Sequence, residues 1–314
     1  MSEYRRNLPQ LSGEVFLNDA GLETDLIFNH GIDIPEFAAH TLLPNQKARA
    51  KLEAYFDEFI DLATQHGLGI ILDAPTWKAH PHWKEDLNCQ LHDLEKANHE
   101  AVAFVQSLKD KSPLTTKIVL NGITGPCGDA YDPESAISVE ESAMYHSTQI
   151  RWLADTRADM VSALTFTQST EAAGYAMAAA ETGMPCVISF TVETDGNLPT
   201  GQKLGDAIKF VDTVSNNFPA YYMVNCAHPD HFSHVFDNSL WTRRVRGLRC
   251  NASRQSHAEL DACEVLDDGD PNEFGKLYQS LFQKLPWLNI FGGCCGSDIR
   301  HVRKVVETLV SEPV

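Results

Sequence analysis

Two adjacent cysteines framed by glycines form the first group of residues with a recognisable chemistry. Cys294 and Cys295 follow the apolar run 288–291, inside the segment Gly-Gly-Cys-Cys-Gly at 292–296. Neighbouring side chains on a strand point to opposite faces, so two adjacent thiols reach one ion only where the backbone bends, which glycine permits. A third thiol, Cys226, closes another apolar run. Three thiolates leave one position of a tetrahedral zinc site open, as in a catalytic site.

Zinc is the metal that this donor set predicts, because it is redox-inert and binds thiolates. Zinc ionises a bound thiol at neutral pH, where a free thiol with a pKa of about 8.5 stays mostly protonated. A substrate thiol in the open position would become a nucleophile for an electron-poor methyl carbon. Two other interpretations remain open. The cysteines are buried apolar residues, or Cys294 and Cys295 form a vicinal disulfide that acts as a redox switch.

Composition restricts the partners and the compartment. The chain has 314 residues, a formal net charge of -18 and no cluster of Lys or Arg, which argues against nucleic acid and anionic membranes as partners. Its eight cysteines are irregularly spaced, as in proteins of a reducing compartment. No apolar run approaches the roughly 20 residues that span a bilayer, and the amino terminus has no secretory signal pattern. We therefore expect a cytoplasmic protein that binds small molecules; its oligomeric state is not predicted.

Short β-branched runs alternate with longer segments of helical periodicity, and no linker divides them. The candidate strands are 15–18, 69–72, 117–121, 160–166, 186–192, 221–225, 244–249 and 288–291. The candidate helices are 46–66, 91–108, 138–156, 169–181, 203–216, 272–284 and 298–309. Eight βα units in one domain, 1–314, favour a closed (β/α)8 TIM barrel, although counting alone leaves an open doubly wound sheet as a competitor.

Chemically distinctive residues follow nearly every candidate strand. Active sites of (β/α)8 barrels are built from the C-terminal ends of several strands, so this clustering favours the barrel and predicts the position of its active site. Strands six and eight are not neighbours in the barrel wall, but their ends converge over its mouth. The candidate site residues are Asp19, Trp77, Thr165, Glu193, Asn225, Cys226, Asn251, Cys294 and Cys295.

Four segments resemble the zinc-dependent homocysteine S-methyltransferase family in order and spacing. They are Asp-Ala-Gly-Leu-Glu-Thr at 19–24, Ser-Phe-Thr at 189–191, Val-Asn-Cys at 224–226 and the glycine-framed cysteine pair. The resemblance covers nearly the whole chain. It implies a (β/α)8 barrel in which Cys226, Cys294 and Cys295 hold zinc, and the thiol of homocysteine takes the fourth position and is methylated to methionine. The methyl donor would be a small sulfonium or ammonium compound such as S-methylmethionine, S-adenosylmethionine or a betaine.

The resemblance also suggests substrate contacts, each beside a simpler structural role. Asp19 matches an acidic position near the ammonium group of the bound amino acid, but it would equally cap the first βα turn. Asn225 and Asn251 suit a substrate carboxylate or the orientation of a thiolate, and they suit loop backbone groups as well.

One departure from the family pattern concerns the acceptor. Many members have an acidic residue before Thr or Tyr at the end of strand four, where this chain has Leu164 and Thr165. Glu193, at the end of strand five, is a candidate replacement, although its simpler role is a solvated loop charge. Leu164 therefore motivates an alternative, in which the same zinc barrel acts on another thiol or a selenol. A non-catalytic redox sensor built on the vicinal cysteines is the alternative from a different class.

Aromatic residues near the strand ends suggest where a cationic donor binds. Trp77 follows strand two, and with Tyr131 and Phe166 it would offer aromatic faces to a sulfonium or quaternary ammonium ion. Core packing is the more common use of such residues.

Overall fold

Eight parallel strands form a closed barrel in the order β1 to β8. The structure is a computed structural model that describes residues 2–128 and 136–310. The strands are β1 Phe16–Leu17, β2 Gly69–Ala74, β3 Ile118–Thr124, β4 Met160–Phe166, β5 Cys186–Phe190, β6 Tyr221–Asn225, β7 Val245–Cys250 and β8 Ile290–Gly293. All eight predicted strands are present. The last two begin and end later in the chain than predicted, so the cysteine pair directly follows β8.

Helices separate consecutive strands and surround the barrel. They are α1 Leu22–Thr24, α2 Gln46–Gln65, α3 Leu91–Lys111, α4 Val139–Ala154, α5 Ser169–Thr182, α6 Leu204–Val214, α7 Pro229–Phe232, α8 His257–Asp261, α9 Pro271–Lys284 and α10 Ile299–Val310. The seven long ones agree with the predicted helices to within a few residues at each end. Alternation of strand and helix with all strands parallel confirms the (β/α)8 barrel and excludes the open sheet.

β1 closes the barrel although it has only two residues. Phe16 pairs with Gly69 of β2 on one side and with Ile290 of β8 on the other. Backbone hydrogen bonds continue this pairing past the strand, because Asn18 N donates to Phe291 O at 2.8 Å and Gly293 N donates to Asp19 O at 2.9 Å. The ends of β1 and β8, which carry Asp19 and the cysteine pair, are thus held side by side.

The core has two layers, one inside the barrel and one between the strands and the helices. Large apolar side chains fill the lower barrel, and Leu8 of the N-terminal segment packs beneath them. The inner layer is formed by Leu8, Phe16, Ile71, Val119, Met160, Val187, Tyr221, Met223 and Ile290. Since the N-terminal end of the barrel is filled in this way, a ligand enters from the C-terminal ends of the strands.

Capping side chains stabilise the starts of two of the long helices. Asn45 accepts hydrogen bonds from the first-turn N–H groups of α2, and Ser138 forms a capping box with Glu141 at the start of α4. Within the described residues, none of the helices combines the length and the apolar character needed to cross a bilayer.

Candidate active site

A cavity of about 510 Å³ opens at the C-terminal ends of the strands. Most of the predicted site residues line it: Asp19, Trp77, Thr165, Asn225, Cys226, Asn251, Cys294 and Cys295. Glu193 is not among the lining residues. The charge of Glu193 acts on His257, and His257 does line the cavity. The fold therefore brings eight of the nine predicted residues to one cavity and leaves Glu193 outside it.

Three thiols converge on one side of this cavity. The Sγ atoms of Cys226, Cys294 and Cys295 all lie within 4.8 Å of one another. Those of Cys226 and Cys294 are in direct contact, as in a disulfide, and the two Cα atoms are 5.4 Å apart. The vicinal interpretation joins Cys294 to Cys295 instead. A disulfide needs only two converging thiols, whereas a metal centre needs three or more, so the position of Cys295 fits a metal centre.

An unusual backbone conformation directs Cys226 into the cavity. Its φ is 52°, in the left-handed region that side chains other than glycine rarely adopt, and the residue is only 6% exposed. Its N–H donates to Arg249 O at 3.1 Å, and Asn251 Nδ2 donates to its carbonyl oxygen at 3.0 Å. Strained conformations held by several contacts are typical of functional sites. Asn251 therefore contacts the backbone of a candidate ligand residue.

Of the three glycines around the cysteine pair, two stand where a larger side chain would not fit, and the third turns the backbone. Gly292 and Gly293 continue β8, and a Cβ atom at Gly292 would lie only 2.6 Å from Asp19 O. Gly296 is the residue that turns the chain, with φ at 77°. Its N–H donates to Thr24 Oγ1 at 3.2 Å, which ties the cysteine turn to α1. The sequence correctly indicates a glycine-dependent turn, but lack of space explains the first two glycines, because a Cβ at Gly292 would meet the end of β1 and one at Gly293 would meet Ser297.

Asn225 and Thr165 form a reciprocal pair beside Cys226. Asn225 Oδ1 accepts from Thr165 N at 3.0 Å, and Asn225 Nδ2 donates to Thr165 Oγ1 at 2.9 Å. Thr165 Oγ1 in turn lies 3.8 Å from Cys226 Sγ and can donate to it. Thr165 also has a left-handed φ of 66°. The pair thus orients a thiol, which is one of the two roles that the sequence predicts for Asn225.

A buried arginine joins the ends of β1, β2 and β7. Arg249 donates to carboxylate oxygens of both Asp19 and Asp73, and its Nε donates to Gly293 O at 3.2 Å. The second oxygen of Asp73 accepts from Asn121 Nδ2 at 2.7 Å, and that of Asp19 accepts from Tyr55 OH at 3.4 Å. Asp19 therefore has partners within the protein, beyond the roles expected for it.

The sequence contains a signal for this network that lies outside the motifs. Strands buried in parallel sheets are normally continuous apolar runs, so a charged residue such as Arg249 inside β7 requires a buried partner. Asp73, at the end of β2, is the corresponding unexplained acid. Motifs and spacing do not show that these two residues meet.

Burial and neighbouring charges shift the pKa values of the groups in the inner cavity, the part of the cavity lined by Asp19, Glu23, Asp73 and Arg249. Burial raises the pKa of Asp19 to about 7, against the opposing effect of Arg249, and the charge of Asp73 raises it further. Burial likewise raises the pKa of Glu23 to about 7. Burial disfavours the charged form of Arg249, but the two carboxylates together raise its pKa above the usual range. The guanidinium is therefore charged at any working pH.

The remaining cavity wall is apolar and aromatic. Leu164, 9% exposed, lines the cavity, and its carbonyl oxygen accepts from Trp77 Nε1 at 3.2 Å. Phe28 and Phe37 line it as well and are about half exposed. Phe166 is fully buried and packs against Tyr175 outside the cavity, in the core role considered for it. The predicted donor contact at Tyr131 lies outside the described residues.

A comparison with known proteins decides the family. The family model for homocysteine S-methyltransferase matches residues 16–309, which is most of the chain. The chain belongs to the homocysteine S-methyltransferase family. Homocysteine S-methyltransferase 3 of Arabidopsis thaliana is 25% identical over 182 residues, 57% of this chain and 51% of that protein. The match with this curated relative thus spans about half the relative's length.

Solved structures of a bacterial protein share the barrel. The metallated form of the Escherichia coli homocysteine methyltransferase MmuM superposes with a TM-score of 0.70 at 14% identity, covering 96% of this chain and 98% of that one. Its oxidized form gives a TM-score of 0.69 at 16% identity, with 96% and 99% covered. At this level of sequence identity, the likeness shows a shared fold and nothing further. This homocysteine S-methyltransferase family member therefore shares nearly the whole length of that barrel.

Proposed function

We propose that this protein is a zinc-dependent S-methyltransferase that transfers a methyl group from a small sulfonium or ammonium donor to the thiol of homocysteine, giving methionine. One observation carries the proposal: three cysteine thiols converge on the wall of a cavity large enough for two small substrates. Family membership supports it, and the similar proteins are named for the same acceptor.

Cys226, Cys294 and Cys295 would hold the zinc ion, since three thiols without a fourth protein ligand match a site that keeps one position for a substrate. The ion would supply Lewis acidity that ionises the acceptor thiol at neutral pH. Asn225 and Thr165 orient Cys226, and Asn251 holds its backbone. Because such thiols must stay reduced, we also propose a reducing compartment, the cytoplasm.

The cavity suits a cationic methyl donor. Five acidic residues but only two basic ones line it, and an acidic cavity attracts cations. Trp77 lines the cavity and offers an aromatic face to a cationic donor. The exposed aromatic rings of Phe28 and Phe37 lie at the rim. A bound donor would exclude water, which prevents hydrolysis of the transferable methyl group.

Leu164 and Arg249 favour a second candidate acceptor. Leu164 places an apolar side chain where many family members have an acid, and Arg249 occupies Asp19, the other acid near the expected ammonium site. Another thiol or a selenol without an α-ammonium group would then be the substrate of the same reaction. The contact between Cys226 and Cys294 motivates the candidate from another class, a thiol sensor that cycles between dithiol and disulfide.

A matrix of acceptors against donors separates these candidates. Protein purified under reducing conditions would be assayed for zinc, then incubated with homocysteine and other thiols and with each donor, and products read by mass spectrometry. We expect about one zinc per chain and methionine with at least one donor. Methylation of another thiol but not of homocysteine would reject homocysteine as the acceptor and retain the zinc-dependent methyl transfer. Zinc far below one per chain, with no turnover of any thiol, would favour the sensor.

Replacing Asn225 by alanine should weaken zinc binding without removing a ligand. Asn225→Ala leaves Thr165 unconstrained beside Cys226, and residues that orient metal ligands typically contribute about 10- to 100-fold to affinity. Competition with a chelating indicator measures the change. Asn272→Ala, at an exposed position of α9, is the matched control and should retain the wild-type affinity. Equal zinc affinity in both variants would remove Asn225 from the metal centre.

A further inference from the structure

Among the described residues, Glu23 is the carboxylate of the inner cavity that has no side-chain partner; it accepts a hydrogen bond from its own backbone N–H alone. It is half-buried on α1 and lines the cavity, and within residues 2–128 and 136–310 its side chain forms no hydrogen bond or ion pair with another side chain. Both oxygens of Asp19 and both oxygens of Asp73 are occupied, by Arg249, Tyr55 and Asn121. A carboxylate removed from bulk water without a positively charged partner favours binding a cation.

Hydrogen bonds fix Glu23 beside the cysteine turn. Gly21 N donates to Ser297 O at 3.1 Å, and Gly296 N donates to Thr24 Oγ1 at 3.2 Å, so the chain on both sides of Glu23 is attached to the segment that follows the cysteines. The charge of Glu23 acts on both Cys295 and Arg249. The carboxylate therefore lies beside the turn that carries Cys294 and Cys295, on the wall of the same cavity.

The charges of the inner cavity indicate what Glu23 binds. Arg249 is the guanidinium that faces three carboxylates, those of Asp19, Asp73 and Glu23, and it forms ion pairs with the first two. One further positive charge would compensate the excess. Leu164 cannot provide hydrogen bonds to an ammonium group, and Glu193 lies outside the cavity lining. Glu23 thus brings to the cavity wall the negative charge that the side chain of Leu164 cannot provide.

We propose that Glu23 binds the α-ammonium group of the thiol acceptor and so selects an amino-acid thiol. This inference rests on the proposed methyltransferase function and assigns the recognition of the acceptor to α1 instead of the end of β4. Homocysteine then remains the acceptor in spite of Leu164. Asp19 contributes indirectly, because its pair with Arg249 leaves Glu23 as the available anion.

Glu23→Gln tests the proposal, since it keeps the shape of the side chain and removes its charge. Three acceptors are compared at saturating donor: homocysteine, 3-mercaptopropylamine, which keeps only the amine, and 4-mercaptobutanoate, which keeps only the carboxylate. We expect KM to rise roughly 10- to 100-fold for the two amines, as for a lost hydrogen bond between charged groups, and to stay within about twofold for 4-mercaptobutanoate. Turnover of 4-mercaptobutanoate also shows that the variant is folded.

Glu264→Gln is the matched control, an exposed carboxylate near the cavity mouth that does not line the cavity, and its KM values should equal those of wild type. Equal increases for all three acceptors, or an increase confined to the KM of the donor, would overturn the assignment to the ammonium group. A wild-type protein that prefers 4-mercaptobutanoate to homocysteine would also overturn it, while thiol methylation itself would stand. Absence of any thiol turnover in wild type would refute the proposed function instead.

Discussion

Cys226→Ser is expected to remove zinc and to lower kcat/KM by about three orders of magnitude or more, because a hydroxyl is a poor substitute for a thiolate ligand and metal activation supplies several kcal/mol. Cys226 is the proposed ligand that stands apart from the vicinal pair, and its left-handed backbone holds the thiol against Cys294. Zinc content by atomic emission and methylation rates are measured on protein kept under a thiol reductant, which keeps the cysteines available to the metal.

Cys89→Ser is the matched control for this substitution. Cys89 is half-buried, precedes α3 and does not line the cavity, so the variant should keep both its zinc and its activity. Cys294→Ser and Cys295→Ser should each resemble Cys226→Ser. A Cys226→Ser protein that binds one zinc per chain and methylates thiols at the wild-type rate would exclude the three-cysteine centre. Zinc retained in Cys295→Ser alone would reduce the centre to the contacting pair.

Arg249→Met is expected to lower the free energy of unfolding by about 3–5 kcal/mol, the usual cost of removing one partner from a buried ion pair. Methionine fills much of the space of the arginine stem, so the loss reports on charge more than on packing. The substitution leaves Asp19 and Asp73 as buried carboxylates without the guanidinium and removes a donor to Gly293 O. Urea unfolding measures the change.

The loss in Arg249→Met should depend on pH with a definite sign. The folded-state pKa of Asp19, about 7, already exceeds the value of about 3.9 for an unfolded chain, and removal of Arg249 raises it further. Folded protein then binds more protons than unfolded protein, so stability falls as pH rises from about 4 through the folded-state pKa. Arg249→Met should therefore be more stable at pH 5.5 than at pH 8. The opposite trend would contradict a carboxylate origin.

Arg151→Met is the control for the same change in side chain. Arg151 lies on α4, and its pair with Glu181 is exposed at 3.9 Å, where ion pairs contribute little. Its free energy of unfolding should stay within about 0.5 kcal/mol of wild type at both pH values. A similar loss in both variants would show that the effect of Arg249→Met is unrelated to buried charge.

Local patterns in the chain predict most of the fold. Apolar β-branched runs and helical periodicity are patterns among near neighbours in the chain, so their positions can be read without the tertiary structure. The eight strands and seven long helices follow from them. The largest differences in strand position occur at β3, which ends three residues later than predicted, and at β8, which is shifted by two residues; glycines interrupt the apolar pattern in both strands.

Contacts between distant residues decide the chemistry of the acceptor end. The residue types and their order were sufficient to predict that the three cysteines meet at the ends of the strands. They did not predict that Asp19 is paired with Arg249, 230 positions away, or that Glu193 stays outside the cavity while Glu23 lines it. A strand's sequence determines its faces, whereas the register and closure of the barrel determine which side chains meet above it.

The sequence by itself thus determined the barrel and the candidate metal ligands, because alternating elements and a glycine-framed cysteine pair are local patterns with few structural solutions. Only the tertiary structure decided which carboxylates are paired with Arg249 and which one faces the cavity. Buried charges must find partners, and the available partners depend on which strand ends lie side by side. Arg249 compensates Asp19 and Asp73 for this reason, and Glu23 is left facing the cavity.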